Sequence, residues 1–187
     1  MKYILVSFIL IVFIFSCSKT DKGIELTEEE KIESLKFGNE ISNKAQKILL
    51  ENVASAIETG GTEYAVEFCN TKAISLTDSI SKTNQIRIQR LSDKNRNPNN
   101  VIKTDVDKIA WQRINQNEKE FLLTENNNEV YYYKPIILGV PACVKCHGSS
   151  VDIERNTQKN IKDKYPNDLA VNYKLGDLRG MWKIKIK

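Results

Sequence analysis

The chain has 187 residues, 41% of them hydrophobic and 28% charged. That composition suits one domain with a packed core and excludes a disordered, collagen-like or multispan membrane protein. Lys and Arg number 28 against 24 Asp and Glu, a formal charge of +4 that is too small and too scattered for a nucleic-acid footprint, and the single histidine, His147, excludes any site built on two histidines of this chain alone.

Residues 1–16 read as a bacterial export leader. Lys2 supplies the positive start, and the apolar run from Tyr3 to Phe15 is shorter than the ~20 residues a spanning helix needs. The run ends at Phe15-Ser16-Cys17, which resembles a lipobox although Phe15 is bulky for one, so Cys17 is the expected lipidation site. Two acyl chains on Cys17 give stable anchoring where one does not. Ser18 is not acidic, and by resemblance to the bacterial sorting rule this places the protein at the outer rather than the inner membrane, on the periplasmic side. Residues 17–26 are polar and read as a tether; 27–187 form the domain.

Thr27-Glu28-Glu29-Glu30 is a capping box that opens a helix running to about Thr59, with Gly38 as a weak point and Ile32, Leu35, Ile41, Ala45, Ile48, Leu49 and Ala56 as its apolar positions. Gly60-Gly61 stops it. A second helix follows Thr62 and puts Ala65, Cys69, Ala73, Leu76 and Ile80 on one face. Ile86 and Ile88 alternate with polar neighbours and suggest a short strand. Arg96-Asn97-Pro98-Asn99-Asn100 has turn chemistry. Thr104 caps a third helix whose apolar side carries Val106, Ile109, Ala110 and Ile114. Val130-Tyr131-Tyr132-Tyr133 is β-branched and aromatic, hence a strand, with Pro135 at an edge or exit. The last residues alternate: Trp182, Ile184 and Ile186 on one face, Met181, Lys183, Lys185 and Lys187 on the other. The expected class is α+β, N-terminal helices followed by a small, mainly antiparallel sheet.

Residues 143–147, Cys-Val-Lys-Cys-His, form the C-x-x-C-H pattern of c-type haem attachment. Two thiols three positions apart reach the two vinyl groups of one porphyrin, His147 then meets the iron, and Gly148 leaves room beside the ring. One covalent haem c is the expected cofactor, held by Cys143 and Cys146 and ligated by His147. Zinc, a redox dithiol and a structural disulfide are the competing readings of the same residues. For the sixth ligand, Met181 lies on the lysine face and looks away, lysines are plentiful, and Cys69 is an unpaired thiol in an oxidising compartment. Ligation by Cys69 and a plain buried thiol are equally compatible with its place on the helix.

Beyond that pattern, the blocks Glu67-Phe68-Cys69, Arg90-Leu91-Ser92, Arg96 to Asn100, Pro141 to Gly148, Tyr165 to Ala170 and Gly176 to Gly180 resemble, in this order, the single-haem c-type domain family with Cys/His axial ligation and a PAS-like fold. Its members are stand-alone exported proteins and sensor domains of histidine kinases. The resemblance implies a PAS-like fold and Cys69 as the second axial ligand. Arg90 and Arg96 are then candidates to contact haem propionates, with a turn held by Asn97 and Asn100 as the plain alternative. This chain ends seven residues after Gly180, so any output passes to a separate partner.

The function expected is electron transfer or redox sensing by a lipid-anchored haem protein, with a redox or signalling protein as partner, the membrane met through the anchor, and no nucleic acid. A gas-responsive sensor is the alternative. A haem enzyme is disfavoured, because no second histidine serves a distal site; an interaction lipoprotein without haem is the remaining class.

Overall fold

The computed structural model describes residues 25–125 and 128–187, with side chains throughout except at 73–76. The leader, Cys17 and most of the tether lie outside the described residues, as do the side chains of Ala73 and Leu76. Leu26, assigned above to the tether, is 8% exposed and already belongs to the folded domain. Among the described residues no helix is long and apolar enough to cross a membrane.

Helix α1 (Glu28–Asn84) opens on the expected box: the Thr27 hydroxyl accepts the Glu30 N–H, and the Glu30 carboxylate accepts the Thr27 N–H. Its dihedrals leave the helical region at Gly60 and at Gly61, where φ is 71° and ψ −171°, a conformation that glycine alone adopts freely. The element is thus two limbs, 28–59 and 62–84, as the glycine pair predicts. The chain turns at Gln85 and enters strand β1 (Ile88–Leu91), two residues later than the alternation of Ile86 and Ile88 suggests.

Helix α2 (Asp105–Asn115) is capped by Thr104 and Asp107. Strand β2 (Phe121–Thr124) was not expected; its Phe-Leu-Leu run is too short to alternate. Strands β3 (Val130–Ile137) and β4 (Leu178–Lys185) complete one antiparallel sheet of order β1-β4-β3-β2. Pro135 sits inside β3, but β2 ends opposite Tyr133, so β3 has a free side there and loses no ladder bond.

Both faces of the sheet are covered. Ile88, Tyr132, Trp182 and Ile184 pack against Ile41, Ala45 and Ile80 of α1. Leu91, Tyr131, Tyr133 and Met181 pack against Ala110 and Ile114 of α2. The alternation in β4 is therefore as predicted, yet its lysine face is no solvent face: Met181 is fully buried and Lys183 is 4% exposed. Lys183 survives there because its Nζ lies 2.8 Å from Asp107 and 2.6 Å from Glu125, while the Tyr133 hydroxyl donates to Asp107 at 2.9 Å. Ile32 and Ile109, read above as core, are exposed.

Gly38 is a packing requirement rather than a weak point. A Cβ there would lie 2.3 Å from Cγ of Tyr132, whose ring crosses under the helix. On an exposed helix, Gly→Ala gains about 1 kcal/mol. Here Gly38→Ala is expected to cost about 1–3 kcal/mol, the range for overpacking a filled core. The urea midpoint measures the sign.

Candidate functional site

At the end of the sheet where β3 finishes and β4 begins, a cavity of about 480 Å³ opens between the strands and both limbs of α1. That is within the ~300–1,000 Å³ usual for cofactor pockets. Cys69, Arg90, Arg96, Cys143, Cys146 and His147 all line it. Residues scattered over 79 positions of sequence thus meet at one wall or another of a single space.

The C-x-x-C-H segment begins at Cys143, the last residue of a turn of 3-10 helix (Pro141–Cys143), and continues as one helical turn, α3 (Val144–His147). Such a turn cannot hold itself. Its last residue is fixed from outside: the Tyr173 N–H donates to the His147 carbonyl at 2.9 Å, and the ring nitrogen Nδ1 lies 2.8 Å from the Ala170 carbonyl. A carbonyl only accepts, so Nδ1 carries the proton and Nε2 keeps a free lone pair. Burial, helped by the nearby Arg96 and Arg179 charges, holds His147 well below its ordinary pKa. The imidazole is neutral at pH 7, in the form that binds a metal. A Cβ at Gly148 would meet the Val144 carbonyl and the Asp152 side chain, so the glycine lets Asp152 close the end of α3.

Cys69 comes from the second limb of α1. Burial pushes its thiol pKa up, and the charges of Arg90 and Arg96 pull it part of the way back. Burial pushes Cys146 up to about 11. Cys69, Cys143 and Cys146 are free thiols. Among the described residues no three His, Cys, Asp or Glu side chains converge closely enough to hold a bare metal ion.

Three guanidinium groups reach the cavity. Arg96 is paired with Asp168, both largely buried. Arg90 shares the α1-facing side of β1 with Ile88, burial lowers its pKa, and among the described residues it has no hydrogen-bond or ion-pair partner. Arg179 donates to the Ser92 hydroxyl at 3.2 Å and the Lys94 carbonyl at 3.1 Å. Arg179 carries no sequence signal of a role beyond its place in the Gly176–Gly180 block; its burial depends on β4 entering the sheet beside β1. The turn reading of the Arg96 block also holds locally, since the Asn97 side chain accepts the Asn99 N–H at 2.9 Å.

A one-to-one count of charge is informative. With Arg96 paired with Asp168, Arg90 and Arg179 still outnumber Glu51, the carboxylate among the lining residues, so the wall is in positive excess, while the rest of it is chiefly apolar, from Leu49, Leu50, Val53 and Ile57 to Ile136 and Leu138. A flat apolar group with acidic substituents and an atom able to accept a nitrogen lone pair matches that lining.

Residues 25–187 match the family model described as Tll0287-like. A search of curated proteins gives no match. Among solved structures, the crystal structure of the cyanobacterial haem protein Tll0287 is similar at 25% identity, covering 82% of this chain and 94% of that one, with a TM-score of 0.63.

Proposed function

The chain belongs to the Tll0287-like family, and from that premise we propose that it is an envelope-anchored protein carrying one covalent haem c, working in electron transfer or redox sensing. The observation that carries this reading is the locked His147: Nδ1–H tied to Ala170, Nε2 free, in a cavity shared with the three thiols Cys69, Cys143 and Cys146. The similar cyanobacterial structure, a haem protein by its description, supports the same cofactor here.

A haem bound there would supply a one-electron iron couple. The chain's own residues supply the rest. Cys143 and Cys146 would attach the porphyrin, each S–H adding across a vinyl double bond so that sulfur and hydrogen both stay in the product. His147 would give the iron nitrogen, and Cys69, from another element, sulfur. A thiolate donates strongly and favours the ferric state, and binding iron would overcome the burial that keeps Cys69 protonated in the chain alone. Arg90 and Arg179 would face the acidic substituents. The apolar walls would exclude water and steady the potential. Cys17 would hold the molecule to the outer membrane, and a separate protein would receive the electron or the signal.

Mass spectrometry of the denatured protein, made in cells able to mature c-type cytochromes, tests the proposal. The chain is expected to retain one haem mass under denaturation and to lose it in Cys143→Ala/Cys146→Ala. A chain that stays colourless overturns it.

A further inference from the structure

We infer that Arg96 is a positioning residue for His147, setting the orientation and donor strength of the imidazole through a carbonyl the two side chains share, and is not an anion contact. The inference rests on the haem reading above.

The Ala170 carbonyl accepts two hydrogen bonds: from His147 Nδ1 at 2.8 Å and from Arg96 Nη2 at 3.2 Å. The same Nη2 donates to the Cys146 carbonyl at 2.7 Å, one residue before His147 on α3. Nε and Nη2 of Arg96 also fork onto the two Asp168 oxygens at 3.1 and 3.0 Å, and Asp168 in turn accepts the Ala170 N–H at 2.9 Å. Each hydrogen bond of the guanidinium therefore goes either to the turn that carries the imidazole or to the loop that orients it. The pair is buried, with Arg96 11% and Asp168 7% exposed, so the fork is shielded from water. A planar fork that holds both carboxylate oxygens while one of its nitrogens also reaches two carbonyls is what arginine provides and lysine does not.

Two consequences follow. The clamp fixes the ring plane, because Ala170 is held at its N–H by Asp168 and at its carbonyl by Arg96. It also moderates the ligand: Arg96 draws on the carbonyl lone pairs that would otherwise strengthen Nδ1–H···O and make the ring a stronger donor. Arg90, with no hydrogen-bond or ion-pair partner of its own among the described residues, is left with Arg179 for the anionic substituents.

The test compares Arg96→Gln, Arg96→Lys and Arg90→Gln in the haem-loaded protein by low-temperature electron paramagnetic resonance of the ferric state and by midpoint potential. Both Arg96 variants are expected to move the low-spin g-values, since lysine keeps the charge but not the fork, and Arg96→Gln to lower the potential. Arg90→Gln is expected to shift the potential with the g-values unchanged. If Arg96→Lys matches wild type in both readouts and Arg96→Gln merely copies Arg90→Gln, Arg96 acts by charge and the inference fails. Should Arg96→Gln not fold, Arg96→Lys and Asp168→Asn decide the question by the same g-values: wild-type values in both overturn the inference, displaced values support it. Absence of haem from the wild-type protein is a different failure, that of the reading beneath.

Discussion

Cys69→Ala is expected to abolish the low-spin thiolate signal of the ferric protein at low temperature and to raise its reduction potential. The competing ligands can be weighed by position. Among the described residues no lysine and no methionine lines the cavity. Met181 is fully buried on the opposite face of the sheet, packed with Leu91, Ala110 and Ile114. Among the described residues, apart from Cys143, Cys146 and His147, Cys69 is the one Cys, His, Met or Lys side chain lining that cavity. Its surroundings suit a thiolate once a cation is present, because Arg90 and Arg96 already offset part of the penalty of burial. Met181→Leu is expected to leave the signal in place. A wild-type spectrum in Cys69→Ala, or one lost in Met181→Leu, removes Cys69 from the axial position. Comparing ferric and ferrous spectra with and without carbon monoxide then separates a carrier, which keeps Cys69 in both states, from a sensor, which releases it.

The second large effect lies on the far side of the sheet. Lys183→Ala is expected to destabilise the protein by about 3–5 kcal/mol, the usual cost of removing one partner from a buried ion pair. Lys183 is nearly inaccessible and bridges Asp107 and Glu125, so its loss strands buried carboxylates. In the intact protein burial alone would raise the Asp107 pKa, but hydrogen bonds from Lys183 and Tyr133 outweigh it and hold the carboxyl below its ordinary value. Its stabilising contribution is therefore complete above the unfolded pKa of about 3.9 and is lost as pH falls through the lower folded value. In Lys183→Ala the sign reverses. Asp107 is then buried without its cation, its folded pKa rises above the unfolded one, and the deficit grows as pH rises through it. Urea unfolding of both proteins from pH 7 to pH 3 is expected to show two curves that converge towards acid. Parallel curves would mean that the pair adds no net electrostatic stability.

Local chemistry made much of this fold legible. Thr27 with Glu30, Thr104 with Asp107, and Gly60-Gly61 act through neighbours in the chain, and each does what its spacing predicts. The alternation of Trp182, Ile184 and Ile186 announces β4 for the same reason. Period-two patterning assigns residues to faces but is silent on what covers a face. Lys183 therefore reads as solvated until α2 is seen to close over it, and Gly38 reads as a flaw until the Tyr132 ring is found beneath it. Helix α4 (Arg155–Lys164) buries only Thr157 and Ile161, too little to stand out from its polar neighbours. In the site, the motif residues were visible because side-chain identity carries their chemistry. The clamp was not, because half of it is backbone: the carbonyls of Cys146 and Ala170 have no sequence signature, and Asp168 acquires its role only when the loop after Tyr165 folds back onto Arg96.

The folded domain begins beside the start of β3, where Glu25 and Leu26 lie near Thr124 and Val130 and where Lys187 pairs with Glu30. The cavity lies beyond the other end of that strand, at Ile136 to Leu138. At ~3.3 Å per residue the strand separates the two poles by roughly 20 Å. A molecule moored through Cys17, as proposed, would thus be held from the pole opposite the cavity, leaving the cavity open to a soluble donor or acceptor that need not approach the bilayer.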